Sequence, residues 1–174
     1  MRNGEAGVQV GVQNCSGLMD SPAVICFTVP GIPVGKGRHR SRIAKMKDGR
    51  QFIANYTPKE TVSYENLVKT KAEAAMDGRG LMTGPVELVF FAFVTPPASW
   101  SLKKQRAALS GEVLPTTKPD LDNIEKALSD GLNGVVWADD KQVVDCRKSK
   151  RYAAAPGLTV EVRQIVAVEQ DRLI

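Results

Sequence analysis

The segment Val86–Val94 constrains the fold of this 174-residue chain more than any other feature. Its alternate residues from Val86 onward are all apolar, most of the intervening residues are apolar too, and only Glu87 is charged. Bounded by Gly84-Pro85 and Pro96-Pro97, such a segment is typical of a strand that is covered on both faces. We expect one face to lie on the domain core. The other is covered either by a helix of the same chain or by a second copy of the protein.

Three further segments have helical patterns. The sequence Thr-Pro-Lys-Glu at residues 57–60 forms a capping box with proline at the first helical position, and it predicts a helix that runs to Gly78. Ser101 can cap a short helix at Leu102–Leu109. An apolar stripe that ends at Asn133-Gly134 predicts a helix at Leu121–Leu132, with Asp120 at its N-cap.

The remaining segments complete an α+β fold. We predict a strand at residues 23–29, a loop or ribbon at 31–55, short strands at 135–137 and 143–147, and a closing strand around 158–163. Residues 1–22 lack periodicity and any continuous apolar stretch, which predicts a disordered tail and no secretory signal. The sequence therefore indicates a single domain over residues 23–174, with a mixed β-sheet packed with helices and a strand order that the patterns leave open.

Composition excludes several kinds of site. The three cysteines include no Cys-x-x-Cys pair, which argues against a disulfide framework or zinc ribbon and favours a reducing, cytoplasmic setting. The nearly uncharged apolar run at residues 88–100, which Pro96 and Pro97 interrupt, is too short to span a membrane. His39 is the only histidine, so two-histidine metal centres are excluded, and its basic surroundings disfavour the imidazolium that a Ser-His-Asp triad requires.

Charge is strongly segregated along a chain of net charge +5. Residues 36–50 contain seven cations and one acid, whereas residues 120–145 contain seven acids and two cations. A basic loop beside a solvated acidic helix is the simplest interpretation. A loop of this charge would also hold a DNA backbone without reading its sequence. The predicted DNA-binding residues are Lys36, Arg38, Arg40 and Arg42.

The acids at the start of the second long helix suggest a metal site. Asp120 and Asp122 suit a helix N-terminus, and capping alone would explain either of them. Capping does not explain Lys126, which lies four residues after Asp122 on the same helix face, or the later Asp139-Asp140 pair. Asp120, Asp122 and one of the later pair would form a carboxylate set for Mg²⁺. In a basic protein such a set suits phosphodiester hydrolysis by metal-activated water.

Residues 118–143, with the sequence KPDLDNIEKALSDGLNGVVWADDKQV, closely resemble the signature of the RusA family of Holliday junction resolvases, common in phages and prophages. GKGRHR at residues 35–40 and YTPKETVSYE at 56–65 resemble the family's basic segment and following helix. The resemblance covers most of residues 23–165. It implies a RusA-like homodimer that uses magnesium, or manganese in its place, to nick four-way DNA junctions symmetrically in recombination and repair.

The resemblance also implies roles for individual residues. The metal-binding aspartates of the family fall on Asp120, Asp122 and Asp140, and its catalytic lysine falls on Lys126. The neighbouring Asp139 is a further candidate ligand. His39 stands where the family often has proline, so the conformation of the basic loop stays open.

Two other interpretations compete with this one. Pro119-Asp120 followed by Asp139-Asp140-Lys141 resembles the PD-(D/E)-x-K pattern of restriction-type nucleases, with Lys141 as the catalytic lysine, but this pattern leaves Asp122 and Lys126 without roles. Alternatively, the chain is a nucleic-acid-binding module whose acids serve only as caps and turns. Magnesium-dependent cleavage separates such a module from a nuclease.

Overall fold

The computed structural model describes residues 23–38, 40–46 and 48–166, so the predicted tail at residues 1–22 lies outside the described residues. The described chain has an α+β fold, as expected. Its elements, in order, are β1 (Val24–Pro30), β2 (Arg40–Lys45), β3 (Gln51–Tyr56), α1 (Lys59–Met76), β4 (Val86–Val94), α2 (Leu102–Leu109), α3 (Leu121–Leu132), a 3-10 turn (Asp140–Gln142), β5 (Val143–Tyr152) and β6 (Gly157–Gln164).

Four strands form one mixed sheet in the order β1-β6-β4-β5. Strand β6 runs antiparallel to both β1 and β4, whereas β4 and β5 are parallel. Strands β2 and β3 form a separate antiparallel ribbon, in which Ile43 lies opposite Ile53. The segment for which the sequence left loop or ribbon open is therefore irregular at residues 31–38 and a ribbon from Arg40 onward.

The core lies between one face of this sheet and the helices α1 and α3. Leu88 and Phe90 of β4 are fully buried against a cluster that includes Val68 of α1 together with Ile124 and Leu128 of α3. The two helices approach closely at Gly131. A Cβ atom there would lie 2.8 Å from Val68 Cγ1 and 2.9 Å from the Glu65 carbonyl oxygen. Residue 131 must therefore be glycine for α3 to sit at this depth.

The other face of β4 is not covered in the same way. Glu87 is buried there by ion pairs with Arg147 of β5 and Arg163 of β6. Phe91, further along the same face, is 45% exposed. Helices thus cover one side of this strand, and Phe91 remains accessible on the other.

Three local predictions were wrong. Residues 134–136 form a turn and Trp137 makes only isolated β-bridges, because Gly134 N–H donates to the Trp137 carbonyl at 2.8 Å and closes the chain on itself. The first long helix has Pro58 at its N-cap and begins at Lys59, so Thr57 lies one residue before the N-cap. Strand β5 also runs to Tyr152 instead of ending at residue 147, since its later residues continue to pair with β4.

The predicted bounds of β4, α2 and α3 are confirmed. Ser101 caps α2, as expected, by accepting a hydrogen bond from Lys104 N–H at 3.4 Å. None of the helices in the described ranges is long and apolar enough to cross a membrane.

The variant Gly131→Ala tests the close packing of α3 against α1. In an exposed helix this change stabilises by about 1 kcal/mol. Here we expect the free energy of unfolding to fall by about 1–3 kcal/mol, because the new methyl group clashes with α1. Denaturant titration measures the change. Gly80→Ala, whose Cβ would meet nothing within 4 Å, is the control. A Gly131→Ala protein as stable as the wild type would contradict the close packing.

Candidate active site

The N-terminal end of α3 presents the first two acids of the site. Asp120 occupies the N-cap with an extended backbone (φ −78°, ψ 147°), yet its side chain makes no capping hydrogen bond. Asp122 lies in the first helical turn. Helix capping therefore does not explain the carboxylate of Asp120, which remains available to bind a ligand.

Two clefts share this end of α3. The acidic cleft has a volume of about 520 Å³ and is lined mainly by α3, the 3-10 turn and the start of β5. The loop cleft is larger, at about 1010 Å³, and lies between the segment before β2 and the start of α3. The acidic cleft is lined by Lys36, Asp122, Glu125, Lys126, Ser129, Asp130, Asp140, Val143, Val144, Asp145 and Cys146. The loop cleft is lined by Gly35, Lys36, Gly37, Arg38, Lys118, Pro119, Asp120, Asp122, Asn123 and Lys126.

Asp122 and Lys126 line both clefts. Asp120 lines the loop cleft, and Asp140 lines the acidic cleft. Asp122 therefore shares a cleft with each of the other two aspartates that the sequence singled out. Asp122 and Lys126 therefore lie where the two clefts meet, with Asp120 on one side and Asp140 on the other.

Ion pairs divide the acids of this region into two groups. Glu125 pairs with Lys148, Asp130 with Lys36, and Asp139 with Lys141. Among the described residues, no ion pair reaches the other group, which consists of Asp120, Asp122, Asp140 and Asp145. Of the carboxylates predicted to bind metal, Asp120, Asp122 and Asp140 thus have no ion-pair partner among the described residues, whereas Asp139 is paired with Lys141.

The acids around the start of α3 offer only oxygen donors to a divalent ion. Within the described ranges, no group of three or more histidine, cysteine or acidic side chains could hold a metal ion by itself. Mg²⁺ usually takes only one or two protein carboxylates and leaves its other positions to water and phosphate. Asp122 with Asp120, or Asp122 with Asp140, would be such a pair, and their oxygen donors are of the type that Mg²⁺ prefers.

Asp139 and Lys141 have local roles in the 3-10 turn. Asp139 Oδ1 accepts a hydrogen bond from Lys141 N–H at 3.0 Å, and its other carboxylate oxygen lies 3.5 Å from Lys141 Nζ. The backbone N–H of Lys141 is the main cause that holds the pKa of Asp139 below its usual value. Neither side chain lines the two clefts. This arrangement does not favour Lys141 as a catalytic lysine.

Lys126 and Lys36 differ in their partners. Among the described residues, Lys126 makes no ion pair, so its ammonium is free to meet a phosphate. Lys36 Nζ lies 2.6 Å from Glu65 of α1 and 2.5 Å from Asp130 of α3. Partial burial lowers the pKa of Lys36, but hydrogen bonds to Asp130 and Glu65 outweigh it and hold that pKa above its usual value.

The backbone around Lys36 is tied to the same two helices. Lys36 N–H donates to the Asn123 carbonyl at 2.7 Å, and Gly37 N–H donates to Thr61 Oγ1 at 3.2 Å. A Cβ atom at Gly35 would lie 2.9 Å from Asn123 Cβ. The Gly-Lys-Gly segment therefore joins α1 to α3, and the predicted DNA contact of Lys36 competes with two carboxylates.

The other predicted DNA-binding residues belong to the loop cleft and the ribbon. Arg38 is exposed and lines the loop cleft. Arg40 and Arg42 lie on β2, but their side chains, like the whole of His39, lie outside the described part of the chain.

Sequence reasoning missed several residues near the site. Asp145 and Cys146 line the acidic cleft, and burial is the main cause that raises the pKa of the Cys146 thiol to about 11. Cys146 is therefore a protonated thiol at neutral pH and no nucleophile. Lys150 donates hydrogen bonds to two carbonyls of the segment before Asp120. The basic run at residues 147–151 could have drawn attention to Lys150, but its partners lie more than 30 residues away.

Comparison with known proteins agrees with the motifs. A family model described as Endodeoxyribonuclease RusA matches residues 30–163, a range that contains both clefts. The chain is also 35% identical over 145 residues to "Uncharacterized protein YqaN" of Bacillus subtilis (strain 168), a match that covers 82% of this chain and 98% of that protein. The chain therefore belongs to the RusA family of endodeoxyribonucleases.

Proposed function

We propose that this chain is a magnesium-dependent endonuclease that resolves four-way DNA junctions by paired, symmetric nicks. The observation that carries the proposal is the selective ion pairing of the acids. Lysines neutralise Glu125, Asp130 and Asp139, whereas Asp120, Asp122 and Asp140 have no ion-pair partner among the described residues. Uncompensated carboxylates this close in sequence repel one another unless a cation joins them.

Each residue of the proposed site has a separate role in phosphodiester hydrolysis. Asp122, with Asp120 or Asp140, would hold magnesium, with manganese as a substitute. An ion held there would supply an activated water and would balance negative charge on the phosphate. Lys126, on the same helix face as Asp122, places its ammonium where it can bind the charge that develops on the phosphate. Arg38, with Arg40 and Arg42 on β2, holds the DNA backbone without reading bases.

The same placement distinguishes this proposal from a restriction-type nuclease. That alternative requires Lys141 beside the reacting phosphate. Lys141 is 79% exposed and paired with Asp139, outside both clefts, whereas Lys126 lines both of them. Lys126 is therefore the better candidate for the catalytic lysine.

A homodimer is the second part of the proposal. A four-way junction has pseudo-two-fold symmetry, and its resolution needs one nick in each of two opposed strands. An isologous dimer supplies two such sites with the symmetry of the substrate, and this is the commonest homo-oligomer. The face of β4 that carries the exposed Phe91 is where we expect the second copy to pack.

Loss of single carboxylates tests the metal site. We expect Asp120→Asn, Asp122→Asn and Asp140→Asn each to lower junction cleavage by about 100-fold or more, because bound metal contributes several kcal/mol to the transition state. Junction binding should persist, since each change also removes a repulsion with DNA. The control is Asp139→Asn, which keeps a side-chain acceptor for the 3-10 turn and should cut at nearly the wild-type rate. Aspartate variants that cut normally at saturating Mg²⁺ would refute the assignment.

Single-turnover kinetics distinguishes the roles of Lys126 and Lys141. Lys126→Ala should slow cleavage by about 10²-fold to 10³-fold, because it removes a charge aimed at the reacting phosphate. Lys141→Ala should change the rate by less than about threefold, since an exposed ion pair contributes little. The opposite ranking would favour the restriction-type interpretation.

Light scattering tests the dimer. We expect a mass near twice 18.9 kDa at micromolar concentration. Phe91→Glu should shift the mass towards the monomer, because it places a charge in the proposed apolar interface. Thr159→Glu, on the neighbouring strand opposite Phe91, probes the same face from β6 and should act in the same direction. A strictly monomeric wild type that still makes paired nicks in one encounter would contradict this part of the proposal.

A further inference from the structure

The connection between α2 and α3 has little hydrogen-bonded support before Asp120, although Pro115 is buried. Among the described residues, residues 114–119 make no backbone-to-backbone hydrogen bond. Two of these residues, Pro115 and Pro119, have no N–H to donate. The direction in which Asp120 enters α3 must therefore be set by something other than regular secondary structure.

Lys150 supplies that support. Its ammonium donates to the Thr117 carbonyl and, at 2.9 Å, to the Pro119 carbonyl. Within the described part of the chain, these are the only hydrogen bonds made to residues 114–119. Lys150 is only partly exposed and lies on the edge strand β5, opposite Ala92 on the side of the sheet that faces the helices.

The chemistry of the contact suits a fixed anchor. An ammonium has three donors and no acceptor, and here two donors take carbonyls on either side of Lys118. Hydrogen bonds from a charged donor are roughly twice as strong as neutral ones. A single side chain on the sheet thus holds both ends of the Lys118-Pro119 unit that precedes the N-cap of α3.

We propose that Lys150 is a positioning residue, which sets the course of residues 117–120 and so directs the carboxylate of Asp120 into the loop cleft. The anchoring is a property of the free chain. Its consequence for metal binding rests on the proposed function, because it takes Asp120 to be a ligand. Lys150 itself does not touch the reacting atoms.

Backbone ¹⁵N relaxation of the full chain tests the anchor without any nuclease assay. In Lys150→Met, we expect the order parameters of the amides of Thr116, Thr117, Lys118 and Asp120 to fall from the rigid value of about 0.85 to below about 0.6. Lys150→Arg keeps a charged donor and should restore most of the order. Arg151→Met removes a neighbouring cation on the other face of β5 and should leave these amides unchanged. Unchanged order parameters in Lys150→Met would overturn the proposal.

If Lys150→Met does not fold, Lys150→Gln takes its place. Glutamine retains a neutral donor that can reach only part of the contact, and we expect order parameters between those of the wild type and a loose segment. Order parameters equal to the wild-type values in a folded Lys150→Gln would overturn the proposal in the same way.

The Mg²⁺ dependence of junction cleavage tests whether Lys150 affects metal binding through Asp120. Lys150→Met should raise the Mg²⁺ concentration for half-maximal junction cleavage about tenfold, the effect expected from losing one charge-assisted hydrogen bond. Junction affinity in EDTA, and its dependence on salt, should not change. A log-log salt slope lower by about 0.9, with wild-type Mg²⁺ dependence, would identify a phosphate contact instead and overturn the proposal. If the wild type cleaves no junction, the proposed function fails, and the relaxation comparison still decides the role of Lys150.

Discussion

The close packing of α3 on α1 and on the sheet is the interaction on which the candidate site depends. Asp120, Asp122 and Lys126 all belong to α3 or to its N-cap, so the depth and rotation of this helix place all three at once. Gly131 allows the helix to approach Val68, and the buried stripe of Ile124 and Leu128 keeps its rotation fixed. The polar face of α3 is thereby turned to the two clefts.

Ion pairs determine which acids around α3 are neutralised within the described chain. A cluster of acids would oppose the folded state unless cations balance it, and the chain balances only part of it. Lys36 joins Glu65 to Asp130 and, through its backbone, also holds the loop against α3. The acids without an ion-pair partner among the described residues include the three that hold the metal ion in the proposed mechanism, Asp120, Asp122 and Asp140. Stability and chemistry are therefore served by different carboxylates of one region.

Sequence patterns predicted correctly those elements whose apolar periodicity is complete within the element. The apolar alternation of β4 and the stripe of α3 gave their bounds correctly. Residues 135–137 have the β-branched composition of a strand, but a turn after α3 takes their hydrogen bonds. Strand β5 was predicted too short because its later residues are cations, which an edge strand tolerates on both faces.

The site was harder to predict where it depends on distant contacts. The spacing of Asp120, Asp122 and Lys126 on one helix end could be derived from helix geometry. Lys36 was assigned to DNA because its partner Glu65, 29 residues further along, carries no local signal. Lys150 reaches Pro119 across 31 residues and was missed for the same reason. Long-range ion pairs and anchors follow from strand order, which the sequence patterns left open.

In the proposed mechanism, the carboxylates around Asp122 hold the divalent metal ion with which the enzyme cuts branched DNA. The most direct measurement is denaturing-gel analysis of a synthetic four-way junction and of a linear duplex with the same sequence, each incubated with and without Mg²⁺. We expect nicks at symmetry-related positions in two opposed strands of the junction, only with Mg²⁺, and little cutting of the duplex. Tight junction binding without cleavage at any Mg²⁺ or Mn²⁺ concentration would contradict it.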